Sequence, residues 1–289
     1  YFCTFQTYIY KYLFNRKIPI VLHLHGGIQT EEYETSTVIE KILLFFKKYF
    51  FDIIVGKSII EKSDALISVS KEDLLEINRV FKINRHNHNY FIPNVINSKD
   101  FKKIDKFQRK YIGFIGRLTK IKGIDLFLDL IQKISEQDKN QEFLIIGEGP
   151  YLKDVQDALE KYPITFIKNM GHEEMVEYYN QCLVYVQTSR AEGLSTCVLE
   201  ALASEVPVVA SNVGGTNEVV LNGQTGYLFE SGNTDQAVKY INKIKVNNEA
   251  TKLGNQGRAL IKSKYSWQAI TEKIIRIYEN VLKDNRNKN

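Results

Sequence analysis

From Tyr111 onward the chain alternates short apolar runs with amphipathic stretches, and that alternation limits the possible folds more than any other feature. Tyr111–Ile115, Phe143–Ile146, Ile164–Ile167, Leu183–Val186, Val206–Ala210 and Gly226–Leu228 are too short for buried helices and read as strands. Between them, helical patterning is expected near Gly123–Glu136, Tyr151–Lys161, Glu173–Gln181, Thr196–Ser204 and Thr216–Leu221. Apolar strands alternating with amphipathic helices form a parallel sheet covered on both faces. Such a sheet binds ligands beyond the C-terminal ends of its strands, so the strand-to-helix turns are where chemistry is sought.

The first part of the chain has the same style but fewer elements. Ile18–Leu24 reads as a strand ending at His25-Gly26-Gly27. A long apolar and basic helical stretch follows at Val38–Lys62, then strand Ala65–Val69, helix Lys71–Phe81 and strand Tyr90–Ile92. That is about half of a doubly wound domain. The polar segment Asp100–Lys110 reads as a linker. The expected organisation is a partial Rossmann-like domain over residues 1–108 and a second over 109–265. A closing amphipathic helix at 266–284 would carry Ile270, Ile274, Ile275, Ile277, Tyr278 and Leu282 on its apolar side. Without an initiating methionine, the chain reads as a fragment lacking its natural start.

Bulk properties exclude several classes. With 289 residues, 44% apolar and 25% charged, the chain has the composition of a globular protein with enough length for two cores. Residues 1–108 carry 16 Lys and Arg against 12 Asp and Glu, and the remainder 23 against 22. This mild bias suits an anionic surface or substrate, and no nucleic-acid signature accompanies it. Cys3, Cys182 and Cys197 have neither metal spacing nor a pairing pattern, which fits a reducing cytoplasm. No run reaches the ~18 apolar residues of a membrane span, and Tyr1–Phe14 does not read as a signal peptide.

Two turns carry the chemistry. After the Leu183–Val186 strand comes Ser189-Arg190-Ala191-Glu192-Gly193-Leu194-Ser195-Thr196, running into a helix that holds Glu200. Gly193 permits a sharp turn, and Ser195 or Thr196 can cap the helix. At ~1.5 Å rise per residue, Glu200 lies about one turn in. Two carboxylates and a helix N-terminus on one site suit a ligand with hydroxyls and a phosphate. The other turn is Gly113-Phe114-Ile115-Gly116-Arg117-Leu118-Thr119-Lys120-Ile121-Lys122-Gly123. There Arg117 and Lys122 supply a forked guanidinium and a mobile ammonium, the groups a diphosphate needs as charge develops on bond breaking.

This order of motifs resembles the retaining glycosyltransferases of the GT-B fold, in particular glycosyltransferase family 4. Glu192 and Glu200 are similar to that family's E-x7-E pair, and Gly116-Arg117 through Lys122-Gly123 to its G-R-x-x-x-x-K-G segment. Gly147-Glu148-Gly149-Pro150, Lys168-Asn169-Met170-Gly171-His172 and Ile92-Pro93-Asn94-Val95 also fall where the family has turns. The second of these commonly cradles the nucleobase, and the third lacks the usual glycine after asparagine.

The resemblance implies two Rossmann-like domains facing a cleft, the N-terminal one incomplete in this chain. It implies transfer of a sugar from a nucleoside-diphosphate sugar of UDP or GDP type to an acceptor hydroxyl, with retention and without cofactor or metal. Arg117 and Lys122 would hold the diphosphate. Glu192 would lie near the donor sugar, Glu200 would accept from the ribose hydroxyls, and His25 would approach the sugar from the first domain. Gly116, Gly193, Leu194 and Ser195 would line the donor site with backbone. The acceptor would be a sugar or lipid-linked sugar in cell-surface polysaccharide or glycolipid synthesis. Its setting would be cytoplasmic, with the basic stretch Val38–Lys62 either packed on its own sheet or resting on the inner leaflet. Two other readings stay open: a noncatalytic nucleotide-sugar-binding or scaffold subunit, and another GT-B enzyme such as a nucleotide-sugar epimerase.

Overall fold

The computed structural model describes residues 17–25, 56–82, 89–246 and 249–287. The chain falls into two compact units, one gathering the described residues up to Pro93 and from Thr271 onward, the other Asn94–Ile270. The helix predicted at Val38–Lys62 lies outside the described residues except for its end.

In the first unit, strands β1 (Val21–Leu24), β2 (Ala65–Ser68) and β3 (Asn89–Phe91) form a parallel sheet in that order. Helices α1 (Gly56–Lys62) and α2 (Lys71–Phe81) accompany it. Ile20, Leu22, Ile59, Ile60, Leu66, Ile77 and Phe81 form its core. The Ser70 hydroxyl caps α2 by accepting from the backbone N–H groups of Glu72 at 3.1 Å and Asp73 at 3.3 Å. The first strand is shorter than the predicted Ile18–Leu24, because Ile20 N–H bonds the Asp64 carboxylate at 2.8 Å rather than a neighbouring strand.

The second unit is a six-stranded parallel sheet. Its strands are β4 (Tyr111–Ile115), β5 (Phe143–Ile146), β6 (Ile164–Ile167), β7 (Cys182–Gln187), β8 (Val208–Ser211) and β9 (Gly226–Phe229). They lie in the order β6-β5-β4-β7-β8-β9. The chain winds outward from β4 in one direction and then, from β7, in the other. That reversal opens a crevice at the carboxyl ends of β4 and β7, where doubly wound sheets bind ligands.

Between the strands run α3 (Ile124–Gln137), α4 (Leu152–Leu159), α5 (His172–Gln181) and α6 (Thr196–Ala203). The central strands are buried on both faces, as a continuous apolar run requires. Ile112, Phe114, Phe127, Leu130, Phe143, Val184 and Val209 belong to the core.

Some elements depart from the sequence reading. The predicted helix at Thr216–Leu221 is a single 3-10 turn, Gly214–Glu218. The turn ends at Val219, whose φ of −120° leaves the helical region. Helices α7 (Thr234–Val246) and α8 (Ala250–Lys264) were not anticipated. Asp100–Lys110, read as a polar linker, belongs to the second unit and is anchored to it. Phe101 is buried, its carbonyl accepts from Arg258 at 2.9 Å, and Ile104 N–H donates to Asn180 at 2.7 Å.

The closing helix α9 spans Trp267–Asn287. Its apolar side is narrower than predicted. Ile270, Ile277 and Val281 are buried, whereas Ile275, Tyr278 and Leu282 are about half exposed. Only the seam of Ile270, half-buried Ile274, Ile277 and Val281, spaced 4-3-4, is withdrawn from solvent, as expected of a stripe narrower than the residues available to fill it. Near its end, Asn285 donates to the Lys17 carbonyl at 2.5 Å.

Candidate functional site

The crevice at the sheet reversal is assembled from two loops, each emerging from a central strand. The first leaves β4 through Gly116 and carries Arg117 to Lys122. Its path is fixed by backbone bonds to the next turn: Gly116 N–H to the Ile146 carbonyl at 2.9 Å and Leu118 N–H to that of Glu148 at 2.8 Å. Gly123 then starts α3 in the left-handed region, φ 70°. A Cβ at Gly123 would lie 2.0 Å from the Thr188 carbonyl oxygen, so no side chain fits. Thr188, on the second loop, returns a hydroxyl bond to the Gly123 carbonyl at 2.7 Å.

Arg190 ties the same two loops together. Its guanidinium forks onto Asp125 with both bonds at 2.7 Å, and it also donates to the Lys120 carbonyl at 2.6 Å. A planar fork matched to a planar carboxylate gives direction as well as attraction. Burial would raise the Asp125 carboxyl, but the Arg190 hydrogen bond and charge outweigh it and hold the group below its ordinary value.

Held in this way, Lys122 meets Glu192. The ammonium reaches both carboxylate oxygens, at 2.7 and 2.8 Å, and Ser189 donates to Oε1 at 2.7 Å. The Glu192 side chain is 7% exposed and that of Lys122 25%. Two residues predicted separately for the same ligand therefore form an ion pair in the crevice. Arg117, the other predicted cation, is exposed at the mouth of the first loop.

Gly193, Leu194 and Ser195 carry the second loop into α6. The Gly193 carbonyl accepts from Gly215 N–H at 2.6 Å and the Leu194 carbonyl from the Asn94 side chain at 2.7 Å. Ser195 occupies the N-cap position, as expected, but its hydroxyl makes no cap hydrogen bond. Gly214 presses on this loop so closely that a Cβ would lie 1.7 Å from the Glu192 carbonyl oxygen.

Glu200, on the first turns of α6, is partly exposed and accepts a hydrogen bond from the Tyr179 hydroxyl at 2.8 Å. Sequence reasoning did not single out Tyr179. Its signal was a large aromatic on the polar helix α5, buried completely. Burial lifts the Tyr179 and Tyr185 hydroxyls well above their ordinary values and pushes Cys182 and Cys197 up to about 12, which leaves these thiols unreactive.

His25 belongs to the first unit, exposed just beyond β1. Its ring lies 4.4 Å from that of His23, as two residues on one face of a strand should. Burial, followed by the charge of His25, lowers the His23 pKa. Gly26 and Gly27 lie outside the described residues. Among the described residues, no three His, Cys, Asp or Glu side chains gather as metal ligands would. No described helix is long and apolar enough to cross a membrane.

Comparison with known proteins agrees with this anatomy. Residues 96–260 match the family of glycosyl transferases group 1, and the chain belongs to it. The capsular polysaccharide biosynthesis glycosyltransferase CapM of Staphylococcus aureus is 30% identical over 184 residues, 61% of this chain and 48% of CapM. The glycosyltransferase MJ1178 of Methanocaldococcus jannaschii is 28% identical over 91% of this chain and 69% of its own. The chain thus spans about half the length of the first of these relatives.

Among solved structures, the sucrose-phosphate synthase of Thermosynechococcus elongatus superposes with a TM-score of 0.79 at 22% identity, over 97% of this chain and 72% of that one. Anabaena HepE in complex with UDP-glucose gives 0.79 at 17% identity, over 96% and 76%. The architecture is accordingly GT-B, built from Rossmann-like domains.

Proposed function

We propose that this chain is a retaining glycosyltransferase of family 4, which moves a hexosyl group from a nucleoside-diphosphate sugar to an acceptor hydroxyl without a metal. The observation that carries the reading is the Lys122–Glu192 pair at the sheet reversal, with Glu200 one helix turn further on. The crevice offers an ammonium and a guanidinium for a diphosphate, and carboxylates for sugar and ribose hydroxyls.

On donor binding, Lys122 exchanges Glu192 for the diphosphate, and Glu192 turns its acceptor oxygens to the sugar. Arg117 adds a second positive charge. The bond from the anomeric carbon to the β-phosphate oxygen breaks, and the acceptor oxygen bonds to that carbon on the same face. The acceptor proton passes to the departing diphosphate. Charge grows on the leaving group during this step, so Lys122, Arg117 and the start of α6 stabilise the transition state more than the bound donor.

HepE was solved with UDP-glucose, which supports a uridine donor. CapM is a capsular polysaccharide biosynthesis glycosyltransferase, which supports a role in polysaccharide synthesis. Co-flotation with anionic vesicles tests whether the basic stretch Val38–Lys62 meets an anionic leaflet or packs on its own sheet, the reading its sequence favours.

The central test is calorimetric titration with UDP and GDP in chelator. One nucleotide binds the wild type, and Glu200→Ala and Arg117→Ala each weaken it at least tenfold. Binding unchanged in both variants refutes the assignment.

A further inference from the structure

Glu200 is held by a residue from another helix. Tyr179 lies on α5, outside every motif recognised in the sequence, and is fully buried. Its ring meets those of Phe101 and Tyr185 edge-on, each centroid 6.0 Å away. A fully buried ring with two edge-on aromatic neighbours has little freedom to move, and its hydroxyl lies 2.8 Å from Glu200 Oε2. Burial keeps the hydroxyl protonated far above neutral pH, so it is a permanent donor. A glutamate near a helix start has three side-chain torsions and is partly exposed, so without an anchor it samples several rotamers. With Oε2 tied to a rigid phenol, the plane of the carboxylate is set before any ligand arrives, and the ordering cost is not incurred on binding.

We infer that Tyr179 is a positioning residue for recognition of the donor ribose: it orients Glu200 to accept from the ribose hydroxyls. The inference rests on the proposed donor-site reading and predicts how that site discriminates. A buried tyrosine hydroxyl also needs a partner for its own sake. A purely structural bond would change stability without distinguishing one nucleotide from another. A positioning bond must act through the ribose hydroxyls and through Glu200.

Both are measurable on the full chain, using whichever of UDP and GDP binds and its 2′,3′-dideoxy form. Tyr179→Phe removes one oxygen and keeps the ring, and circular dichroism verifies the fold. The expected result is a five- to tenfold weaker Kd for the ribonucleotide and less than twofold for the dideoxy form. In a Glu200→Ala background, Tyr179→Phe should have no additional effect on the ribonucleotide.

Equal weakening of both nucleotides overturns the inference, as does additive loss in the double variant or an unchanged Kd in Tyr179→Phe. Failure of the wild type to bind either nucleotide is a different outcome, which refutes the donor-site reading and this inference with it.

Discussion

Replacing Glu192 by glutamine tests the central pair while keeping the volume and the contact with Ser189. Lys122 loses the charge that both carboxylate oxygens supply, and its ammonium stays in a crevice where only 25% of the side chain meets water. Exposed pairs contribute about 0.2–1 kcal/mol, and orphaning one member of a buried pair costs about 3–5 kcal/mol. Glu192 lies near the buried limit and Lys122 between the two, so the expected loss is about 2 kcal/mol. A cooperative unit of roughly 150–250 residues shifts by about 2–4 °C per kcal/mol, which gives a Tm lower by about 4–8 °C. The difference should persist at about 1 M salt, because a pair this enclosed is weakly screened.

Circular dichroism melts with and without inorganic pyrophosphate provide the assay. Pyrophosphate should raise the Tm of Glu192→Gln at least as much as that of the wild type, since the freed ammonium is offered to the anion. It should raise that of Lys122→Met much less. A Glu192→Gln protein melting within about 1 °C of wild type would refute the reasoning. The two short contacts would then add nothing beyond what water supplies.

Two further outcomes follow from the same loops. Gly123→Ala forces a left-handed residue, at about 1–2 kcal/mol. It also places a methyl carbon 2.0 Å from the Thr188 carbonyl oxygen. A total loss above about 3 kcal/mol in the urea midpoint, with nucleotide binding abolished, is the expected result. The Asp125 carboxyl is held below its ordinary value by Arg190 against the effect of burial. Its folded pKa is therefore the lower one, so the stabilisation is complete above about pH 4 and lost as pH falls further. Arg190→Ala should flatten that part of the acid limb in denaturant melts taken between about pH 5 and pH 3, and an unchanged slope counts against it.

The second unit was legible strand by strand because each strand is a short apolar run ended by glycine or a polar turn. Tyr111–Ile115 and Phe143–Ile146 coincide with the observed strands. Helix α8 was missed for a physical reason. Gly254 and Gly257 interrupt its apolar pattern, and a Cβ there would lie 2.0 Å from the Glu205 carbonyl oxygen and 2.7 Å from Leu202. The glycines mark close packing against α6 rather than a break. Helix α7 did carry a visible signal, with Ala237, Val238, Ile241 and Ile244 buried along one face.

Of the site, Lys122 and Glu192 were legible as residue types in turns, and Glu200 as one on the helix that follows. Their arrangement was not. No spacing reveals that Lys122 meets Glu192 across 70 positions of chain, or that Tyr179 reaches Glu200 from another helix. Those contacts follow from the order of strands, which brings the ends of β4 and β7 side by side.

The glycines at 123, 147 and 214 each touch a carbonyl oxygen of a neighbouring loop, with no room for a methyl group. These loops are therefore packed main chain against main chain, and a carbonyl cannot be removed by substitution. On the proposed reading, a protein engineer seeking to part these loops for a bulkier sugar has no side chain there to trim. New selectivity has to come from side chains elsewhere, or from changing the length of a loop. Variants that only exchange residues should alter affinity more readily than they alter the size of the ligand admitted.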